Sequence, residues 1–294
     1  MTPCAIVVIT FNEEPNIAHA LKSVVSWADE VFVVDALSTD RTAQIARSLG
    51  AKVVSHPFES VGCQRNWAID NLPIESRWVL FLDADEYLSE EMKEEITSAL
   101  RHDDGSVSGF FTKIKFIYLG RWLKHGDLYG NLIRMVRKGS GRYVDTEGFH
   151  EKMVVDGQVR QLTSYIVHHD RKGLADWIAK QMPRIAIDAA ARLSTSSSGS
   201  QARSSNANDT LTMEGGKSRS LREKLYILPA PVRPFAQFFY RYILRLGFLD
   251  GWQGLIYNFL LQFWYPMMVE ATYLELKQQH SQQGSSTDIS EKTA

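Results

Sequence analysis

The N-terminal part of the chain alternates short, unbroken apolar runs with stretches of helical periodicity. Ala5-Ile6-Val7-Val8-Ile9-Thr10, Val31-Phe32-Val33-Val34-Asp35, Lys52 to Ser55 and Trp78 to Leu82 each read as a strand. Runs that are apolar at successive positions, rather than at every second one, fit strands buried on both faces of a parallel sheet. Between them, Ile17, Ala20, Leu21, Val24 and Val25 give Asn16 to Trp27 a helical pattern, with Pro15 suited to its first turn. Ser38-Thr39-Asp40 supplies N-cap chemistry for a second helix through Leu49, closed by Gly50, and Gly62 to Asn71 predicts a third. The order βαβαβαβ implies an α/β fold with parallel strands and right-handed crossovers.

Past a helix predicted near Ser89 to Arg101 the pattern changes. Phe110 to Tyr118, Asn131 to Val136, Arg142 to Val144 and Tyr165 to Val167 read as strands carrying more charge, which predicts a mixed or antiparallel extension of the sheet, or a subdomain over its edge. Lys138-Gly139-Ser140-Gly141 is read as a hairpin turn. Leu174 to Leu193 predicts a long helix. Ser194 to Ser220 is dominated by small polar residues and is expected to be a flexible linker.

Aromatic residues then return at helical spacing: Phe235, Phe238, Phe239, Tyr242, Ile243 and Leu246, and again from Trp252 through Leu255, Phe259, Phe263 and Met267. Lys217, Arg219, Arg222, Lys224, Arg233, Arg241 and Arg245 outnumber the acids Glu223 and Asp250 in the same region. Basic, aromatic amphipathic helices lie in the membrane interface and favour anionic lipid. Packing on a catalytic domain, or a dimer contact, produces a similar stripe. The expected organisation is a catalytic domain over 1–193 (1–101 nucleotide-binding, 102–193 acceptor and metal). A linker over 194–220, a membrane-associating helical region over 221–280 and a disordered tail over 281–294 complete it.

At 294 residues the chain can bury a sizeable core, and its formal net charge of −1 gives no basis for a nucleic-acid partner. Cys4 and Cys63 form no metal-ligand spacing, so a reduced cytoplasmic setting is expected. Neither a secretory signal nor a spanning helix is expected, because no apolar run approaches about 18 residues. No Gly-x-x-x-x-Gly-Lys-Ser/Thr loop occurs and no Gly-x-Gly-x-x-Gly follows the first strand, which disfavours a P-loop kinase and a dinucleotide dehydrogenase. His150-Glu151 lacks the second histidine of a zincin.

The chemistry centres on Asp83-Ala84-Asp85, which emerges where the Trp78–Leu82 run ends. The carboxyl edge of an open α/β sheet is where ligands bind. Two carboxylates one residue apart on a turn can face one hard cation shared with substrate phosphates. The plainer reading is an acidic turn ahead of a helix, since Ser89 followed by Glu90 and Glu91 is a helix start.

Thr10-Phe11-Asn12-Glu13, Asp35 with Ser38-Thr39-Asp40, and Asp83-Ala84-Asp85 stand in this order at the ends of the first, second and fourth strands. Together they resemble family 2 glycosyltransferases of the GT-A fold. His150-Glu151 and Gly247-Phe248-Leu249-Asp250-Gly251 resemble the branch that contains bacterial lipopolysaccharide-core β-glucosyltransferases. The resemblance implies a Rossmann-like mixed sheet flanked by helices and inverting transfer from a nucleotide-sugar, most readily a UDP-sugar. The implied acceptor is a membrane-held glycolipid such as the lipopolysaccharide inner core. The implied location is peripheral, on the cytoplasmic face of the inner membrane and its anionic lipid; no oligomeric state is implied.

It further implies that Thr10 and Glu13 line the nucleotide pocket, that Asp35 accepts from a base ring N–H, and that Arg65 lies near phosphate or ribose. Asp83 would meet the ribose or a metal-bound water, Asp85 would ligate Mn²⁺ or Mg²⁺, and His168, rather than His169, would complete the metal site. Glu151 is the implied base, with Glu147 and Asp145 as competitors and His150 beside it. Trp122, Lys124, His125 and Tyr129 fall in a loop suited to sugar or acceptor contacts. The family often has Asp-Gly-Ser after the base-reading acid, where this chain has Ala36-Leu37-Ser38. Rival readings are a sugar nucleotidyltransferase, whose Gly-rich basic loop after the first strand is absent, and a catalytically inactive membrane-bound scaffold.

Overall fold

The computed structural model describes residues 2–126, 131–146, 150–197 and 232–291, with backbone alone at 145–146, 150–151, 195–197 and 281–291. Its residues group into two compact units. The first carries the strands and runs to Lys172; the second takes in His125, Gly126 and the described residues from Gly173 onward.

The first unit is built on a nine-stranded mixed sheet. Strands β1 (Thr2–Thr10), β2 (Ala28–Asp35), β3 (Lys52–Ser55) and β4 (Trp78–Asp83) are mutually parallel and lie in the order β3-β2-β1-β4. Helices α1 (Glu14–Lys22), α2 (Thr42–Ser48) and α3 (Val61–Asn71) make the crossovers. Side chains alternate between faces, so Ile6, Val8, Val33, Leu80 and Leu82 enter one core and Ala5, Val7, Phe32, Val34 and Phe81 the other. Burial on both faces is why these runs are apolar at successive positions.

The remaining strands are β5 (Glu86–Leu88), β6 (Val107–Tyr118), β7 (Arg121–Leu123), β8 (Leu132–Arg137), β9 (Gly141–Thr146), β10 (His150–Val155) and β11 (Gln158–His168). Helix α4 (Glu90–Arg101) follows β5, with the Ser89 hydroxyl accepting from the Met92 N–H as an N-cap. β8 runs antiparallel to both β4 and β6, β11 lies parallel to β6, and β5 closes antiparallel on β11. The expected mixed extension is present in β6, β8 and β11, whereas Arg142 to Val144 falls in β9, outside the main sheet.

Several boundaries differ from the sequence pattern. The first helix ends at Lys22 rather than Trp27; the chain turns through Ser23–Trp27 while Val24 stays in the core. The second begins at Thr42, with Asp40 accepting from the Thr42 N–H at 3.0 Å. Lys138–Gly141 does turn the chain, but it joins no hairpin: both edges of β8 are occupied by β4 and β6, so β9 pairs with β10 in a separate two-stranded sheet. β5 and β7, each three residues long, are too short to leave a local pattern.

The second unit holds α5 (Leu174–Ser197), α6 (Arg233–Phe239), α7 (Gly251–Asn258) and α8 (Tyr265–Glu291), with π-helical turns at Tyr240–Leu244 and Phe259–Trp264. The helix begun at Leu174 runs on to Ser197, and most of the expected linker lies outside the described residues. Helical backbone continues to Glu291, where a disordered tail from 281 is expected; no proline follows Pro266, and a helix already nucleated extends at little cost. The Tyr265 hydroxyl donates to Asp188 Oδ2 at 2.7 Å, and Arg192 pairs with Glu270, which ties α5 to α8.

Candidate functional site

The chain runs outward from β1 to β2 to β3, then returns to place β4 on the other side of β1. Such a switch in strand order opens a crevice at the carboxyl ends of the strands. Register puts Thr10 beside Asp35 and Ile9 beside Asp83, so Thr10, Asp35 and Asp83 line one edge.

Thr10 and Asp35 are buried there. Asp35 Oδ2 accepts from the Ser38 N–H at 3.1 Å. Asp35 Oδ1 and Thr10 Oγ1 are buried with no hydrogen-bond partner among the described residues. Buried polar atoms are ordinarily satisfied, so these two neighbouring atoms are places where a water or a ligand can complete the bonding. The turn after Asp35 is kept although Leu37 stands where the family often has glycine. Leu37 adopts φ +62°, a left-handed conformation that glycine reaches without strain. The β1 and β2 loops are stitched together by Asn12 N–H to Ser38 Oγ (2.8 Å) and Thr39 N–H to Asn12 Oδ1 (2.8 Å).

Glu13 is also buried at this edge, and its carboxylate is engaged. Lys172 Nζ lies 2.6 Å from Oε1, and Asn16 Nδ2 donates to Oε2 at 2.7 Å. Asn16 in turn donates to Asp170 at 2.9 Å and accepts from the Arg171 N–H. This network fastens the segment after β11 to the end of β1.

Asp83 sits between two guanidiniums. Arg65 Nη2 reaches Oδ1 at 2.5 Å, and Arg134 Nη2 reaches Oδ2 at 2.8 Å. Arg134 also bonds Glu86 Oε1 at 3.1 Å, while Glu86 Oε2 accepts from the Asp83 N–H at 2.9 Å. Burial alone would raise the Asp83 carboxyl, but Arg134 and Arg65 outweigh it and hold the group well below the usual carboxylate range. Glu86 is raised, because its burial outweighs Arg134. Arg65, on α3, is buried and also covers the Tyr143 ring at 5.0 Å, which excludes a solvated helix position for it. Both Asp83 oxygens are thus taken up by cations.

Asp85 differs. Its carboxylate approaches His168 Nδ1 at 3.5 Å, and the His169 N–H donates to the Asp85 carbonyl at 2.9 Å. Burial raises its pKa despite the opposing pull of His168. β5 brings the two together, since Glu86 pairs with His168 across the β5–β11 ladder. His168 also stacks on Phe116 at 5.0 Å. No cluster of three or more metal-binding side chains occurs among the described residues. A carboxylate and an imidazole still fit a hard divalent cation that takes its other oxygens from diphosphate and water.

His150 and Glu151 open β10, their backbones opposite Thr146 and Asp145. Glu147 lies outside the described residues, and so does Tyr129. The Asn66 side chain exchanges hydrogen bonds with Tyr143 N–H and C=O at 2.9 and 2.8 Å, which docks the β9–β10 sheet onto α3. Trp122 packs edge-on to Tyr165 at 5.2 Å and lies beneath Lys115 and Lys124. Arg134 and Glu86 were not legible as site residues. A lone arginine within Leu132-Ile133-Arg134-Met135-Val136 was the available signal, because a charge inside a buried strand needs a partner.

A model of Glycosyl transferase family 2 matches residues 5–151. An uncharacterized glycosyltransferase of Rickettsia typhi is 40% identical over 114 residues, covering 38% of this chain and 38% of its own. The lipopolysaccharide core biosynthesis glycosyltransferase LpsC of Rhizobium meliloti is 24% identical over 179 residues, covering 59% of this chain and 65% of its own. The chain therefore spans less than two thirds of the length of these curated relatives. Glucosyl-3-phosphoglycerate synthase from Mycobacterium tuberculosis superposes with a TM-score of 0.33 at 22% identity, over 39% of this chain and 44% of that one.

Proposed function

The chain belongs to glycosyltransferase family 2, and on that premise we propose that it is an inverting, metal-dependent transferase that moves a sugar from a UDP-sugar, glucose being the favoured sugar, to a membrane-held glycolipid. The reading rests on the paired unsatisfied atoms of Thr10 and Asp35 at the crevice. A carboxylate oxygen accepts only, so Asp35 suits the ring N–H of uracil, with the Thr10 hydroxyl free to bond beside it. Family membership favours sugar transfer over nucleotidyl transfer.

Each residue then has a task. Asp83, held by its arginines, would meet the ribose or a metal-bound water, and Arg65 would lie near phosphate or ribose. Asp85 and His168 would hold Mn²⁺ or Mg²⁺, which when bound to the donor diphosphate stabilises the charge that grows on the leaving nucleoside diphosphate. Glu151 would take the proton of the acceptor hydroxyl, and His150, next to it in β10, would contact the acceptor. The anomeric carbon passes through an oxocarbenium-like state, which a carboxylate base tolerates well.

The acceptor class draws on the similarity to LpsC and on the C-terminal unit, which exposes many large apolar side chains. Arg241, Asp250 and Asn258 are 4%, 2% and 0% exposed, whereas Phe235, Phe239, Leu244 and Trp252 are 57%, 55%, 59% and 59% exposed. Scattered exposed apolar side chains are ordinary, but a concentration of large aromatic ones marks an interaction surface. A bilayer interface rewards the opposite arrangement, with aromatic residues outward and basic side chains such as Arg245 near anionic headgroups. No described helix is long and apolar enough to cross a membrane. The location we propose is peripheral, on the cytoplasmic face of the inner membrane.

Calorimetric titration of UDP, GDP, ADP and CMP, with and without Mn²⁺, tests the donor site. Mn²⁺-dependent binding of UDP that is lost in Asp85→Ala supports the reading. Absence of nucleotide binding under both conditions overturns it and favours the scaffold.

A further inference from the structure

The segment that follows β11 is tied down more firmly than a surface loop needs. Lys172 Nζ meets Glu13 Oε1 at 2.6 Å, and the two side chains are only 9% and 11% exposed. Asn16, fully buried on α1, uses both ends of its amide at the same joint. Its Nδ2 donates to Glu13 Oε2 at 2.7 Å and to Asp170 Oδ1 at 2.9 Å, and its Oδ1 accepts from the Arg171 N–H at 2.9 Å. Asp170 Oδ1 also accepts from the Lys172 N–H at 2.9 Å. The corner between β1 and α1 is itself braced by the residues that open α2. The Glu13 N–H donates to Thr42 Oγ1 at 2.8 Å, and the Glu14 N–H donates to Asp40 Oδ2 at 3.1 Å.

The first residue of the segment, His169, donates its N–H to the Asp85 carbonyl at 2.9 Å, and His168 stands immediately before it. The joint therefore reaches both candidate cation ligands through the backbone. Buried ion pairs give little net stability over apolar contacts, but their directed bonds fix one geometry. A cation site needs fixed geometry, because the groups behind its ligands set their orientation.

We propose that Lys172 and Asn16 are positioning residues of the cation site: they pin residues 169–172 to the β1–α1 corner, and that segment holds the Asp85 turn against His168. Glu13 is their anchor. The inference rests on the cation reading given above.

The probes are Mn²⁺ and UDP. UDP is titrated calorimetrically with and without Mn²⁺, and bound Mn²⁺ is measured from the loss of the free ion's spin resonance signal. The variants are Lys172→Gln, Asn16→Ala, Lys172→Arg and the paired variant Glu13→Gln with Lys172→Met. The paired variant strands no charge, so it covers the case in which Lys172→Gln fails to fold. Mn²⁺ affinity in the presence of UDP should fall about tenfold in Lys172→Gln, Asn16→Ala and the paired variant, while Lys172→Arg stays within about threefold of wild type. UDP affinity without Mn²⁺ should change by less than about twofold, since the nucleotide contacts are untouched. The sign separates positioning from charge. Removing a lysine near a cation site would, by its field alone, tighten cation binding, whereas loss of positioning weakens it.

Mn²⁺ affinity that is unchanged or raised in Lys172→Gln and in the paired variant overturns the proposal and leaves the network a structural tie. Equal losses of UDP affinity with and without Mn²⁺ overturn it as well. A wild type that binds UDP no better with Mn²⁺ than without it overturns the cation reading, and this inference with it.

Discussion

Arg134 Nη2 lies 2.8 Å from Asp83 Oδ2, across 51 residues of sequence. The contact fixes the charge state of the turn that carries Asp85. It also has a consequence at low pH. A carboxyl depressed in the folded state contributes stability that is complete above its unfolded pKa, near 4, and is lost as the pH falls through its native value. Burial opposes the depression of Asp83, but Arg134 and Arg65 prevail. Asp83→Asn should therefore flatten the acid limb of the stability curve, measured by urea unfolding between about pH 5 and pH 2. An unchanged limb would show that the ion pairs persist or form in the unfolded chain.

Leu37 occupies a left-handed conformation with its side chain exposed. A non-glycine residue there costs about 1–2 kcal/mol, and glycine costs about 0.5–1 kcal/mol of extra chain entropy. Leu37→Gly should stabilise the protein by about 0.5–1 kcal/mol, since no buried contact is lost. A destabilised variant in chemical denaturation would mean that the Leu37 side chain matters for packing or for a ligand.

Gly254 lies inside α7, where alanine would normally gain about 1 kcal/mol. Here an added Cβ would come 2.6 Å from the Gly247 carbonyl and 2.7 Å from Asp250 Cβ. Overpacking, about 1–3 kcal/mol, should win. Asp250 accepts from the His125 N–H at 2.9 Å, so Gly254→Ala should lower the melting temperature and speed amide exchange at His125. A higher melting temperature would show that the helix shifts without cost.

The outward aromatic surface of the C-terminal unit carries the membrane reading. Phe239→Glu with Trp252→Glu changes two exposed positions, so folding should be nearly unaffected. Each buried aromatic contributes about 1.5–3 kcal/mol to partitioning, so co-sedimentation with anionic phospholipid vesicles should fall more than about tenfold. Undiminished vesicle binding would remove the membrane reading. A wild-type dimer that dissociates in this variant would reassign the face to a second copy of the chain.

Much of the first unit was legible because its information is local. The runs at Ala5–Ile9, Val31–Val34 and Trp78–Leu82 are apolar at every position, and only double-sided burial suits them. Asp35 and Asp83 then follow as the polar groups that close the apolar runs. The π-helical turns at Tyr240–Leu244 and Phe259–Trp264 were not legible, since each is a single local irregularity within a run of densely apolar positions.

The sequence alone determined the parallel βαβ core and the acidic turn at its edge, because both follow from short-range hydrophobic pattern. Tertiary structure decided which charges meet. β8 enters the sheet between β4 and β6 and delivers Arg134 to Asp83; β5 folds onto β11 and delivers His168 to Asp85. Strand order and register across long loops are set by competition for unpaired edges and by the need to compensate buried charge. Both are properties of the whole assembled sheet, and no local window of residues contains them.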